Sequence, residues 1–169
     1  MIITKTERLN LRHINLDDAE FILELLNEPA WIRFIGDREV RTIADAQKYI
    51  SEKFVASYVK FGFGLYLVES KDERVSLGIC GLVKRDSLED VDIGFAFLER
   101  FWSKGYAVES AFAVMNYAQN TLGLKRIVAI TTPDNDASAK VLEKIGLRFE
   151  KVIKLSTESE SNLFVWEKV

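Results

Sequence analysis

A glycine-bearing turn between an apolar strand and a helix is the first place where this sequence could do chemistry. The turn spans residues 99–105, and the helix is predicted to begin near Tyr106. The first N–H groups of a helix lack partners within it, and the helix dipole adds partial positive charge there. Gly105 lets the backbone approach an anion closely, while Arg100 and Lys104 bring cations to the rim. These groups are sufficient to hold a diphosphate. The same residues are equally typical of an ordinary connection from a strand to a helix.

The start of a later helix supplies a second chemical group. Asn135 or Asp136 can cap this helix, and Ser138 lies in its first turn, three to four residues before Val141 and Leu142. This spacing places Ser138 on the inward face of the helix. Its hydroxyl then either faces a cleft or bonds back to the helix backbone, and the sequence leaves both open.

Two carboxylates near these features are candidate bases. Asp92 lies on the strand that leads into the turn, and strand alternation places it on one face with Gly94 and Ala96. The alternative for Asp92 is a solvated strand carboxylate. Glu109 lies in the first turn of the following helix, where the dipole favours negative charge, so a structural role alone explains it.

Other chemistries are excluded by composition and motif. His13 is the only histidine, which excludes a histidine-rich zinc site and an HExxH protease, and it lies in an alternating segment typical of a strand. The one cysteine, Cys80, lies in an apolar segment and is expected to be a buried free thiol rather than a nucleophile. Neither a Walker motif nor GxGxxG occurs.

Length and charge limit the class of protein. A chain of 169 residues predicts one domain, 1–169, and 48% hydrophobic with 29% charged residues is typical of a globular chain. The net charge of −3 argues against a nucleic-acid partner, which needs a basic surface. No apolar run reaches membrane-spanning length, so no membrane partner is expected. With a single cysteine, these features predict a cytoplasmic protein.

Hydrophobic periodicity predicts the elements that position these groups, in the order β-α-α-β-β-β-α-β-α-β-β. The fold class is therefore mixed α/β, with crossover helices on either side of one internal strand. The helix predicted at 42–62 opens with Thr42 and Asp45 in capping-box spacing. The strands are predicted at 8–14, 64–70, 75–85, 91–98, 124–132, 147–155 and 161–169, and the helices at 15–29, 42–62, 106–121 and 133–146.

Three motifs together resemble a known family. They are "RLNLR" near the start, "W-x-K-G-Y-A" at the turn, and "N-x-x-S-x-x-V-L-x-K-x-G" in the later helix. The chain resembles the GNAT superfamily of N-acetyltransferases, and its nearest branch is the RimJ/RimL-like ribosomal-protein group. The resemblance spans nearly the whole chain. It implies the GNAT fold, a mostly antiparallel central sheet with flanking helices, splayed between the predicted fourth and fifth strands, 91–98 and 124–132.

The resemblance also implies where acetyl-CoA binds. The family's phosphate turn reads Q/R-x-x-G-x-G/A. Gly105 and Ala107 match it, Trp102 replaces Q/R, and Ser103 stands where glycine is commoner. The pantetheine arm is expected to pair with strand backbone just before the turn, as an added strand would. The residues expected to contact acetyl-CoA are Phe95, Ala96, Phe97, Trp102, Ser103, Lys104, Gly105, Tyr106, Ala107, Asn135 and Ser138.

The reaction implied by the resemblance is direct attack of a primary amine on the thioester, with no metal and no covalent enzyme intermediate. An α-amine has a pKa of about 7.7–8.0, so a weak base such as Asp92 can neutralise it. Many family members protonate the leaving thiolate with a Tyr in the later helix. The matching position here is Leu142, so we expect Ser138 or water in that role.

The acceptor is expected to be a protein N-terminal α-amine, as in the ribosomal-protein branch. The alternatives are a small-molecule amine (polyamine, amino acid or antibiotic) and a non-catalytic acyl-CoA-binding domain, which the absent Tyr keeps open. In this fold the first two helices and the closing hairpin form the acceptor site. Glu158 and Glu160 could attract a cationic amine there or simply form a solvated turn, and Trp31, Phe34 and Ile35 could line a pocket or belong to the core. The family contains monomers and homodimers, so a homodimer stays open.

Overall fold

A computed structural model describes residues 1–157 and 159–169 and arranges them around one mixed sheet. Glu158 lies outside the described residues. In space the strands follow the order β1-β2-β3-β4-β5-β6-β8-β7. Every neighbouring pair is antiparallel except β5 and β6. The strands are β1 (Ile2–Lys5), β2 (Leu9–Arg12), β3 (Leu65–Ser70), β4 (Ser76–Val83), β5 (Asp92–Phe97), β6 (Arg126–Thr131), β7 (Arg148–Ile153) and β8 (Ser161–Glu167). The predicted mixed, mostly antiparallel fold class is confirmed.

The helices lie between the strands largely where the sequence predicts them. They are α1 (Ala19–Leu26), α2 (Pro29–Phe34), α3 (Ile43–Tyr49), α4 (Ala56–Phe61), α5 (Tyr106–Asn120) and α6 (Asp136–Lys144). A π-helical segment, Ile50–Val55, joins α3 to α4 in one continuous helix. Thr42 and Asp45 form the predicted capping box at its start, and Gly62 ends it with a φ of 78°. Within the described residues, none of the helices combines the length and hydropathy needed to cross a bilayer.

Two elements of the structure were not predicted. β1 is only four residues long and lies at the sheet edge, so its alternation is too short to indicate a strand. Pro29 was expected to end the first helix, but it begins α2. Proline suits the first position of a helix because the missing N–H has no partner there anyway.

The sheet has a separate apolar core on each face. Along β3, Tyr66 and Val68 pack against α5 and α6, whereas Leu67 between them packs against α1–α3. β5 follows the same alternation, since Phe95 and Phe97 belong to the α5 side and Ala96 to the α1–α3 side. The two faces of β5 therefore look toward different helices, which decides where its side chains can act.

The parallel pair β5 and β6 is the place where the sheet opens. The two strands pair only at Asp92 and Val128, where the Val128 N–H donates to the Val91 carbonyl at 3.0 Å. Beyond this point β6 remains paired with β8 along its whole length. The predicted splay is confirmed, and it leaves one backbone edge of β5 without a neighbouring strand.

Candidate active site

A large cleft begins where β5 and β6 diverge. It runs from the start of α5, past β5 and the start of α6, to the helices α2–α4 on the other side of the sheet opening. Its volume is about 1960 Å³, beyond the roughly 300–1,000 Å³ of a typical small-molecule pocket. A cleft of this volume has room for two ligands, one against the α5 turn and one against α2–α4.

The turn before α5 presents backbone N–H groups to the cleft. Gly105 is the N-cap residue of α5, and no side chain caps this helix. The first N–H groups of α5, including those of Tyr106 and Ala107, are therefore available to a ligand. Ser103 and Gly105 both adopt left-handed φ values, 61° and 82°. Left-handed residues alternating with ordinary ones turn successive N–H groups toward one point, the arrangement that binds anions.

Arg8, from the start of β2, holds this turn in place. Its Nη2 donates to the Lys104 carbonyl at 3.0 Å, and its guanidinium lies 4.6 Å from the centre of the Tyr106 ring. In a trans peptide the carbonyl and the following N–H point in opposite directions. By binding the Lys104 carbonyl, Arg8 thus directs the Gly105 N–H to the other side of the chain. The "RLNLR" motif was recognised only as a feature of the family, and this contact gives its first arginine, Arg8, a physical role.

Glu109 completes this support and is not placed for catalysis. Its carboxylate accepts from the Arg8 Nε at 2.7 Å, from the Arg8 N–H at 3.1 Å and from the Thr6 hydroxyl. Partial burial opposes ionisation, but the hydrogen bonds from Thr6 and Arg8 together lower the pKa of Glu109. Glu109 faces the β1–α5 groove rather than the cleft. These contacts therefore support a structural role for Glu109.

Along β5, every second residue directs its backbone N–H and C=O groups toward the open edge. Val91 directs its carbonyl toward β6, and Leu98 directs its N–H toward the Leu77 carbonyl on the β4 side. Strand alternation then turns the backbone groups of Phe95 and Phe97 toward the opening and those of Ala96 toward β4. Ala96 was expected to bind a ligand through its backbone, but this alternation leaves only its methyl group to line the cleft.

Trp102 joins the end of β5 to the turn. Its indole Nε1 donates to the Phe97 carbonyl at 2.9 Å, while the ring stays 45% exposed and lines the cleft. This bond occupies one of the acceptors on the open edge. The groups left on that edge next to the turn include the N–H of Phe97 and both backbone groups of Phe95.

Asp92 lies at the inner end of the opening, where its carboxylate is buried against an arginine. Its side chain is 2% exposed, and Oδ2 accepts from the Arg85 Nε at 2.7 Å. Burial raises the pKa of Asp92 to about 6, against the opposing effects of Arg85 and Lys84. A solvated strand carboxylate was the alternative for Asp92, and its burial is inconsistent with that alternative. Asp92 lines the cleft as a carboxylate that titrates near neutrality.

The start of α6 brings polar groups to the middle of the cleft. Asn135 caps α6, because its Oδ1 accepts from the Ser138 N–H at 3.2 Å. The amide nitrogen of Asn135 remains available as a donor. Within the described residues, the Ser138 hydroxyl has no hydrogen-bond partner, and neither does the buried Thr131 hydroxyl nearby. Leu142 is buried at the cleft wall and offers no proton donor.

The far end of the cleft is built by side chains of separate segments. Trp31 and Phe34 of α2, with Ile35 after it, line the cleft, and Trp31 is also buried in the core that packs on α1–α3. Two residues that sequence reasoning missed, Arg38 and Tyr49, also line it. No local pattern identifies them, since each belongs to a different segment and they meet only in the folded chain.

His13 and Cys80, which the sequence analysis rejected as catalytic residues, do not line the cleft. His13 follows β2 and stacks on Tyr58 at 4.0 Å, and its pKa is lowered mainly by burial. Cys80 is fully buried in β4, and burial raises the pKa of its thiol to about 12. A thiol with that pKa stays protonated and unreactive at neutral pH. In the part of the chain that the structure describes, His, Cys, Asp and Glu side chains form no group of three that could hold a metal ion.

The cleft fits a long ligand with a diphosphate. The uncapped N–H groups lie at one end, where a Cβ added at Gly105 would meet the Arg8 Nη2 at 3.3 Å. The open edge of β5 follows, with room for an extended arm. These features suit coenzyme A, whose diphosphate and amide-bearing arm need N–H donors and strand-like partners in that order.

Comparisons with known proteins agree with this geometry. Residues 8–148 match the model of the acetyltransferase (GNAT) domain family. An uncharacterized N-acetyltransferase of Bacillus subtilis, YoaA, is 30% identical over 90% of this chain and 86% of its own. A stretch 35% identical to the uncharacterized B. subtilis protein YkkB spans 56% of each chain.

A solved structure adds a bound ligand to the comparison. It is RimL, a ribosomal L7/L12 α-N-protein acetyltransferase in complex with coenzyme A. Its TM-score is 0.83 at 19% identity, over 99% of this chain and 98% of that one, which shows a shared fold. Because the family model covers most of the chain, including the turn, the open strand and α6, this protein belongs to the GNAT acetyltransferases and is an acyltransferase enzyme.

Proposed function

We propose that this enzyme transfers the acetyl group of acetyl-CoA to a protein N-terminal α-amine. The observation that carries the proposal is the single pairing point at Asp92 and Val128, which opens β5 next to the uncapped start of α5. Acetyl-CoA, when bound, supplies the acyl group as a thioester. RimL shares the fold and acts on a protein α-amine, which supports this acceptor class.

Donor binding rests on backbone groups. The N–H groups from Ser103 to Ala107 hold the diphosphate, with Lys104 and Trp102 at the rim of the turn. The open edge of β5, at Phe95 and Phe97, pairs with the pantetheine arm in the manner of an added strand. The amide nitrogen of Asn135 binds the same arm from the α6 side. Backbone N–H groups on this edge are also the donors that stabilise negative charge on the acyl oxygen during transfer.

Asp92 acts as the general base. The attacking amine must be neutral, which costs about 1 kcal/mol at pH 7 for an α-amine and about 4–5 kcal/mol for a lysine side chain. A carboxylate with a pKa of about 6 is ionised at pH 7 and still close enough to neutrality to exchange a proton readily. Asp92 accepts the proton directly or through one water molecule. This match favours an α-amine over a lysine amine.

Ser138 donates a hydrogen bond to the leaving sulfur. Its hydroxyl has no partner within the described residues and lies in the first turn of α6, beside the cleft. We expect Ser138→Ala to lower turnover about three- to tenfold, because one donor is lost, while the affinity for acetyl-CoA stays within a few-fold. Steady-state kinetics with calorimetry check this. Equal turnover in mutant and parent would remove Ser138 from the mechanism.

A thiol-release assay tests the function as a whole. Acetyl-CoA is offered with a set of N-terminal peptides, the same peptides with blocked α-amines, and small amines including a polyamine. Turnover with free N-terminal peptides and none with blocked ones is expected. Turnover confined to small amines would contradict the peptide acceptor. Tight coenzyme A binding without turnover on any acceptor would contradict an acetyltransferase and indicate a binding domain.

A further inference from the structure

Two arginines and a tyrosine line the cleft on the side away from the α5 turn. Arg38 comes from the loop between α2 and α3, Tyr49 from the end of α3, and Arg85 from the segment after β4, and all three line the cleft. Burial raises the pKa of the Tyr49 phenol, and the positive charges of Arg38 and, more weakly, Arg85 oppose that rise. The shared cleft and the Arg85–Asp92 bond place these cations on the acceptor side of the opening, and the direction of their effect on the Tyr49 pKa agrees with that placement.

Both arginines keep N–H donors that have no partner among the described residues. Arg85 binds Asp92 through its Nε alone, which leaves the four N–H groups of its two Nη atoms available. Arg38 is exposed and has no ion pair with any carboxylate in residues 1–157 and 159–169. By contrast, Arg33 and Arg41, on either side of it in sequence, are each paired with an aspartate.

Several carboxylates share this part of the cleft. Asp92 already pairs with Arg85 through its Nε, which leaves the Nη groups of Arg85 free for a further anion. Asp45 is committed to the cap of α3, where it accepts from the Arg41 and Thr42 N–H groups. Glu39, Glu52 and Asp86 also line the cleft but are exposed, so water screens their charges as it screens that of Arg38.

Two guanidinium groups and a phenol form a site for a planar anion. Arginine offers paired donors that match a carboxylate bidentately, and tyrosine adds a third donor. Arg85 also touches Asp92, the proposed base, so an anion held here lies close to the amine that Asp92 deprotonates.

We propose that the acceptor carries a carboxylate close to its α-amine, and that Arg38 and Arg85 bind this carboxylate beside Tyr49. The inference rests on the proposed function and names the acceptor class for the same cleft. The carboxylate has two possible sources, an acidic side chain at position 1 or 2 of a peptide, or the α-carboxylate of a free amino acid. In both cases the recognised unit is an α-amine with an anion a few bonds away.

The test compares isosteric acceptors that differ only in this charge. C-terminally amidated peptides with glutamate at position 1 or 2 are compared with their glutamine counterparts, and free amino acids with their amides. The expected kcat/KM is at least tenfold higher for the acidic member of the preferred pair. Preference within the peptide pairs identifies an acidic side chain as the source, and preference within the amino-acid pairs identifies the α-carboxylate. Equal use of charged and neutral members in both arms would overturn the inference.

Variants of Arg38 connect the preference to the site. Arg38→Ala is expected to reduce the acidic-to-neutral ratio of kcat/KM to about twofold or less, and Arg38→Lys should retain an intermediate ratio. Arg74→Ala is the matched control, because it removes the same charge in the turn between β3 and β4, outside the cleft. A ratio unchanged in Arg38→Ala would contradict the assignment.

Acceptor binding, measured by calorimetry with coenzyme A present, separates this inference from the proposed function. Tighter binding of the acidic acceptor, lost in Arg38→Ala but not in Arg74→Ala, would support the anion site even if no acetyl transfer occurred. Acetyl transfer with no charge preference in binding or kinetics would leave the function intact and refute the anion site.

Discussion

The two ends of the cleft are built in different ways. The donor end, at the α5 turn and β5, presents mainly backbone groups in a conformation set by neighbouring residues and supported by Arg8. The acceptor end, around Tyr49, presents charged side chains from segments far apart in sequence. Backbone donors suit a ligand common to a whole family, whereas side chains can vary with the acceptor. Changes at the donor end should therefore alter acetyl-CoA binding, and changes at the acceptor end should alter amine selection and pH dependence.

The largest effect is expected at the point where the two ends meet. Asp92→Asn should lower kcat/KM about 100-fold at pH 7, within the range of general-base contributions. In the parent, Asp92 is active when ionised, so activity should fall as the pH drops through about 6, with the amine imposing a second limb near its own pKa of about 8. The variant should lose the limb near pH 6 and keep the higher one. A pH profile of kcat/KM from 5 to 9 checks this, and an unchanged limb near pH 6 would exclude Asp92 as the base.

The second change isolates the donor end. Gly105→Val places a β-branched residue at a left-handed φ and brings a Cβ to 3.3 Å from the Arg8 Nη2. Left-handed strain costs about 1–2 kcal/mol, and the displaced support adds to it, so acetyl-CoA should bind about 10- to 100-fold more weakly. Gly123→Val is the matched control, because Gly123 has a φ of 69° just beyond the far end of α5, with nothing within 4 Å of an added Cβ. Calorimetry that finds undiminished affinity in folded Gly105→Val would refute the location of the diphosphate.

The third change tests the support rather than the turn itself. The Arg8–Glu109 pair is partly exposed, with Arg8 45% exposed, so it should add at most about 1 kcal/mol to stability. Arg8→Ala should nevertheless raise the KM for acetyl-CoA about five- to twentyfold, because the Lys104 carbonyl is released. kcat and the KM for the amine should change little, and Arg8→Lys should be intermediate. Equal increases in both KM values would indicate general damage instead of local positioning.

The smallest effect concerns backbone strain in the turn. Ser103 adopts a left-handed φ of 61°, which glycine adopts without penalty. Ser103→Gly should therefore stabilise the protein by up to about 1 kcal/mol, the strain relieved being larger than the added entropy of the unfolded chain. Acetyl-CoA affinity should remain within about twofold. Thermal unfolding measures the change, and a clear loss of stability would show that the serine side chain contributes a contact.

Sequence reasoning worked where residues that act together are neighbours along the chain. The turn and the cap of α6 by Asn135 were expected from local patterns, because helix capping operates over a few residues. The opening of β5 was expected only from the resemblance to the family. The same reasoning missed β1, whose four residues carry too little pattern. It also misread Pro29, since proline ends one helix and begins the next with equal ease.

The role of Arg8 shows what a motif alone cannot supply. Its position in "RLNLR" is visible in the sequence, but its partners Lys104 and Glu109 lie about a hundred residues further along the chain. Glu109 looked explicable by the helix dipole, and the structure adds three hydrogen bonds that the dipole argument did not include. A sequence indicates which residues could pair, whereas the sheet order decides which of them meet.

The amino-acid sequence by itself determined most of the strands and helices and the glycine turn, because hydrophobic period, glycine position and capping residues express local physics, and its motifs indicated the family. Only the tertiary structure decided that Asp92 is buried against Arg85, that Arg8 supports the turn, and that Arg38 lines the same cleft as Tyr49. Burial and charge proximity are properties of surfaces brought together by folding, and they raise the pKa of Asp92 in a way that no stretch of sequence carries alone.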